Sequence, residues 1–154
     1  MRTRLVAIFY IFFASFACIN ANAENSTNVE FASSLNSAPC KGTDLSKWTN
    51  CVGVIQSTSN IPINSKYAGE FHNGEATGWG IVKMFDDLFY VGQFKGGKKD
   101  GKGAPVRPDG SLATNMRGES SEGVWSNNLF ISAKEITDPT FLLLVKKIPN
   151  ELPF

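Results

Sequence analysis

Apolar and polar residues alternate with a period of two in two short stretches of the chain. Tyr67, Gly69 and Phe71 share one parity, and Tyr90, Gly92 and Phe94 share it further on, which places each trio on one face of a β-strand. A polar, glycine-bearing segment follows each stretch, "HNGEATG" and "KGGKKDG". Both predict hairpin turns in which glycine takes φ > 0. Second strands come next, "WGIVKMF" and "KGAPVR", and "DD" and "DG" close the units. Near the end, "DPTFLLLVKKI" predicts a short helix, with Asp138 as N-cap, Pro139 as first residue, Lys146 and Lys147 in the last turn and Pro149 as the stop. The apolar run from Phe141 to Val145 is far too short to cross a bilayer and suits a helix lying over a sheet.

The two β-units are copies of one another. Setting Tyr67 over Tyr90 aligns Gly69 with Gly92, Phe71 with Phe94, Gly74 with Gly97, Gly78 with Gly101, Gly80 with Gly103 and Asp86 with Asp109, all at an offset of 23 residues. A fixed period of this size marks stacked units, none of which can bury its apolar face alone. Glycine between aromatics weakens a strand unless a neighbour lies over it, so the repeat glycines predict rings laid across bare backbone from the adjacent strand. The lysine-rich turn also mimics a phosphate loop, since Gly96, Gly101 and Lys102 fit G-x-x-x-x-G-K-[ST]. Gly103 occupies the hydroxyl position, however, and Pro105 and Pro108 exclude the helix such a loop needs.

The pattern Y-x-G-x-F-x-x-G-x-x-x-G-x-G resembles the MORN (membrane occupation and recognition nexus) repeat over residues 67–110. That resemblance implies an all-β fold, a meandering single-layer antiparallel sheet of β-hairpin repeats, here with a short C-terminal helix. Upstream, "PCKGTDLSKWTNCVGVI" is similar to the cysteine-bearing opening segment of exported bacterial MORN proteins. Gly53 to Tyr67 spans 14 residues against ten from Gly80 to Tyr90, which implies a four-residue insertion around "SNIPIN". Downstream, "SEGVWSNN" keeps Gly123 and Trp125 at the spacing of Gly92 and Phe94, with Ser121 in place of the tyrosine and Asn128 in place of the turn glycine. A decayed terminal unit is what a solenoid needs as a cap. Pro105 removes a donor from a presumed strand, and the course of residues 104–122 stays open. The expected organisation is a signal peptide over 1–23, a flexible polar lead over 24–38, a disulfide-tied opening segment over 39–66, the repeat sheet over 67–130 and a C-terminal capping segment over 131–154.

The amino terminus changes the reading of composition and charge. Arg2 and Arg4, an apolar run from Leu5 to Ala17 and the A-x-A site "ANA" describe a secretory signal cleaved after Ala23; a bacterial lipoprotein modified at Cys18 is the alternative. Removing residues 1–23 leaves 13 basic and 14 acidic residues, a net charge of −1, which carries no bulk preference for nucleic acid. The two remaining cysteines, Cys40 and Cys51, are expected to form a disulfide in an oxidising compartment, with free thiols as the alternative. Asn25 opens a glycosylation sequon that matters only in a eukaryotic host.

Candidate chemistry is sparse. His72 lies in a turn without a nucleophile or acid at a spacing that proposes a dyad, and Asp86 and Asp87 read as strand terminators before they read as a carboxylate pair. Glu70 and Gln93 occupy equivalent outer positions and read as solvated. No catalytic residue, metal site or cofactor is expected. Two binding surfaces compete instead. Lys95, Lys98, Lys99 and Lys102 cluster on one turn and could attract an anionic membrane surface. Tyr67, Phe71, Trp79, Tyr90 and Phe94 could form an aromatic groove for a peptide or helix if left uncovered. A protein partner ranks ahead of lipid, an envelope hydrolase comes third, and the oligomeric state is open.

Overall fold

Eight strands lie side by side in one open sheet, in the order in which the chain visits them. The structure, a computed structural model, describes residues 28–56, 65–84, 87–149 and 152. The expected signal peptide with Cys18, the sequon at Asn25, the insertion around residues 59–64 and Asp86 lie outside the described residues. The strands are β1 (Ala38–Pro39), β2 (Cys51–Gln56), β3 (Lys66–His72), β4 (Glu75–Lys83), β5 (Phe89–Lys95), β6 (Lys98–Val106), β7 (Gly123–Ser126) and β8 (Leu129–Ala133). Every neighbouring pair is antiparallel except β1 and β2. The fold is the expected all-β meander with a short C-terminal helix, and the sheet extends beyond residues 67–130 at both ends.

Two-residue turns close the three hairpins β3–β4, β5–β6 and β7–β8. Their central residues are Asn73 and Gly74 (φ 50° and 79°), Gly96 and Gly97 (56° and 73°), and Asn127 and Asn128 (49° and 71°). Positive φ at both positions is the type I′ condition, whose twist matches that of the flanking strands. Asn128 holds the turn in place of the repeat glycine because asparagine, with its short polar side chain, tolerates the left-handed region. The 23-residue offset reappears as register: Gly69 faces Gly80 and Gly92 faces Gly103, and each pair is followed by a bulge before Phe71 or Phe94.

One face of the sheet carries two helices. α2 (Pro139–Lys147) begins where the sequence places it, with the Asp138 carboxylate accepting from the Thr140 N–H at 3.1 Å. Its Phe141 and Leu144, together with Ile148 just beyond it, join Ile81, Phe89, Val91, Ala104 and Val106 in one buried cluster. Residues 28–34 form a first helix, α1, so the lead expected to be flexible is ordered there. The polar composition of that lead concealed its anchors, Phe31 and Ala32, which are fully buried in the same cluster beside Val52 and Ala68.

The connection between β6 and β7, residues 107–122, is an excursion tied by two isolated bridges, Val106 with Leu112 and Thr114 with Ser120. Arg107 fastens its start by donating to the carbonyl of Leu112 and to Thr114 Oγ1. The excursion also explains Pro105. The pairing of β6 with β7 ends at Gly103, and the Pro105 carbonyl accepts from Ala113 N–H at 2.9 Å, so the missing donor faces this loop rather than a strand.

Candidate functional site

The aromatic face is a closed ladder. Trp48, Phe71, Tyr67, Phe94, Tyr90, Trp125 and Phe130 follow one another across the sheet at centroid separations of 5.0 to 5.5 Å, each ring meeting the next edge to face. Each such contact contributes about 0.5–1.5 kcal/mol beyond the area it buries. The repeat glycines make room for it: a Cβ on Gly80 would lie 2.6 Å from the Tyr67 ring, and one on Gly92 2.7 Å from the Tyr90 hydroxyl and from the Gly103 Cα. Tyr67, Phe71, Tyr90 and Phe94 are buried, so the groove expected from them is already filled by their own rings. Trp79 is not part of this face. It lies among the residues under α2, with its ring 6.5 Å from that of Phe141.

Tyr67 and Tyr90 occupy equivalent places but have different surroundings. The Tyr67 hydroxyl donates to the Glu70 carbonyl at 3.0 Å, with that of Thr77 at 3.4 Å, whereas the Tyr90 hydroxyl is buried with no hydrogen-bond partner among the described residues. Burial, and then a nearby carboxylate (Glu70 for Tyr67, Asp100 for Tyr90), raises both phenols above their ordinary range. Neither can serve as a base near neutrality.

Glu70 and Gln93 are half-buried rather than freely solvated. Glu70 Oε2 accepts from the Trp79 N–H at 2.5 Å, and Gln93 Oε1 accepts from the Lys102 N–H at 2.9 Å. Both carboxyl and amide groups thus serve the backbone next to a glycine of positive φ, Gly78 (57°) or Gly101 (108°). Nothing in a strand's two-residue period announces the bulge that gives these side chains their backbone partners.

The four lysines do not form one patch. Lys95 and Lys98 are exposed and flank the Gly96–Gly97 turn. Lys99 turns onto the aromatic ladder, with Nζ 4.5 Å from the centroid of Tyr90 and 4.9 Å from that of Trp125, and burial pulls its ammonium below the ordinary lysine range. Lys102 points the other way, to the Asp138 carboxylate at the start of α2 (3.3 Å). The intrinsic alternation of a strand divides the cluster between two faces, since Lys99 and Lys102 stand an odd number of residues apart.

His72 Nδ1 lies 3.1 Å from Thr49 Oγ1 and 3.2 Å from Asn50 Oδ1, in a shallow polar cleft that Ser37, Glu70 and Thr77 also line. Asp87 pairs with Lys83 at 3.1 Å, and Asp109 accepts from the N–H and hydroxyl of Ser111, so both serve turns. Among the described residues, no three His, Cys, Asp or Glu side chains gather closely enough to hold a metal ion. Cys40 and Cys51 form a disulfide that ties the residue after β1 to the start of β2, and no described helix is long and apolar enough to cross a membrane.

What the sequence reading missed is β8. Leu129, Phe130 and Ile131 are exposed at 68%, 39% and 59%, on the last strand of the sheet, whose outer side has no neighbouring strand among the described residues. The signal was present as "LFISA", an uncharged run straight after an Asn-Asn turn. Native edges are commonly protected by charge or proline; the other edge, β1, has Pro39 and only two residues. No protein-family model and no curated protein matches the chain.

Proposed function

We propose that this chain is an exported, non-catalytic binding module of MORN type, a protein-interaction scaffold of the cell envelope that receives its partner at the free edge of β8. The repeat pattern and the A-x-A signal support the class and the compartment, and the Cys40–Cys51 disulfide is compatible with export. The observation that carries the binding reading is β8 itself. Three large apolar side chains stand exposed on an uncharged strand whose outer edge has no neighbouring strand among the described residues, which offers both main-chain hydrogen bonds and side-chain contacts to an added strand. A protein partner is favoured over anionic lipid, because Lys99 and Lys102 are engaged within the fold and only Lys95 and Lys98 of the cluster remain at the turn.

Capture by the full, tagged chain from an extract of its own envelope tests this reading. A protein partner retained by the wild type and by the double variant Lys95→Ala/Lys98→Ala, but lost by Leu129→Lys, is the expected result. Flotation with anionic vesicles that salt abolishes and the lysine double variant loses, with no effect of Leu129→Lys, would replace it with the lipid reading.

A further inference from the structure

We infer that the partner strand at β8 is the β8 of a second copy of this chain, which makes the protein a two-fold dimer with one sheet running through both subunits. The inference rests on the proposed role of β8 as the docking edge and names its occupant.

The two edges of the sheet are unequal, and the inequality selects the symmetry. β1 has two residues, runs parallel to β2 and includes Pro39, which has no N–H to offer an incoming strand. Head-to-tail stacking of β8 on β1 therefore has almost no ladder to form, and a filament does not grow. β8 against β8 uses the same surface on both chains, closes after two subunits and covers the exposed edge of each.

The composition of β8 suits pairing with itself. From Leu129 to Ala133 there is no charged residue, so an antiparallel pair of these strands sets no like charges opposite one another in any register, an arrangement that would otherwise be destabilising. Exposed Leu129 and Ile131 gain apolar cover from the same residues of the other copy.

The aromatic ladder extends the same argument. Phe130 is its last ring, touching Trp125 at 5.4 Å and remaining 39% exposed, while the rings further in are covered on both sides. A two-fold axis perpendicular to the sheet keeps the aromatic faces of both copies on one side. The two Phe130 rings then approach across the axis, and two ladders become one.

Sedimentation equilibrium and light scattering of the purified, disulfide-bonded full chain, with hydrogen exchange of the β8 amides, provide the test. The expected result is a concentration-dependent dimer in which β8 amides are protected and become exchangeable on dilution. Ile131→Lys sets two ammonium groups at the joint and is expected to weaken dimerisation by at least about a hundredfold. Leu129→Lys should act in the same direction, and both sites are exposed in the single chain, so melting temperature should change little below the dimer concentration. A chain that is monomeric at every concentration, or a dimer that survives both substitutions, would overturn the inference. If the monomeric chain gains β8 protection only with envelope extract, and Leu129→Lys abolishes it, self-pairing fails while the docking reading stands. If β8 exchanges freely in both settings, both fail.

Discussion

Glu70 accepts a hydrogen bond from the backbone N–H of Trp79 through Oε2, and Gln93, 23 residues on, does the same for Lys102. Two different side chains thus do one job in two copies of one unit. Each reaches across a bulge to a backbone donor that the irregular pairing exposes, which is why the position is polar on a strand otherwise packed with rings.

This equivalence predicts that Glu70→Gln is tolerated and Glu70→Leu is not. Leucine removes the acceptor and leaves the Trp79 N–H without its partner, a loss of about 1–3 kcal/mol where the group is desolvated. Thermal or denaturant unfolding of the two variants checks it; equal stability would remove Glu70 from any role in the bulge.

Tyr67→Phe and Tyr90→Phe make a matched pair, since both retain the ring and its edge contacts. Tyr67→Phe should cost about 0.5–1.5 kcal/mol, the net value of an ordinary hydrogen bond, because its hydroxyl donates to the Glu70 carbonyl. Tyr90→Phe removes a buried hydroxyl that has no described partner, and the variant should be as stable as the parent or more so. Urea midpoints at constant m-value distinguish the two.

Gly92→Val should be far more damaging than Lys98→Ala. A Cβ on Gly92 meets the Gly103 Cα and the Lys102 carbonyl at 2.7 Å, backbone that cannot rotate away, and Lys98 is exposed. The expected cost is at or above the ~3 kcal/mol upper range for overpacking, against a few tenths for the surface change. Soluble yield and melting temperature of the two variants give the answer.

Lys99 adds a dependence on alkaline pH. Its folded-state pKa is lowered by burial, so the unfolded chain holds the proton more tightly. The resulting penalty is fully present below the folded pKa and is relieved as pH rises from there to the unfolded value; stability from this group therefore increases with pH in that window. The attraction of the ammonium to the Tyr90 and Trp125 rings acts in the opposite direction and is lost with the proton. The buried Tyr67 and Tyr90 phenols, raised in the folded state, lower stability in the alkaline range as the unfolded chain ionises. With desolvation of Lys99 dominant, the parent should therefore lose stability less steeply with pH than Lys99→Met. A parent whose stability falls more steeply than that of Lys99→Met over the same range would show that the ring attraction dominates.

The period of 23 residues, the two glycine-bearing hairpin turns of the repeats and the pairing of glycines with rings were all legible in the sequence, because each rests on local geometry. A two-residue alternation selects a strand face, a turn with two positive φ angles selects glycine or asparagine, and a bare Cα invites a ring. The Asp138 cap of α2 was legible for the same reason. Only the tertiary structure decided what covers each side of the sheet. The register shifts after Gly69 and Gly92 amount to two residues and keep parity, so alternation itself sets Trp79 on the face opposite to Gly80 and Lys99 on the face opposite to Lys102. It is the packing of α2 that gives Trp79 the Phe141 ring and Lys102 the Asp138 carboxylate as neighbours. The packing of Phe31 and Ala32 under a polar lead, the filling of the aromatic face by its own rings and the exposure of Leu129 to Ile131 at the sheet's end likewise depend on which elements become neighbours. That is a property of non-local burial, and a period along the chain does not contain it.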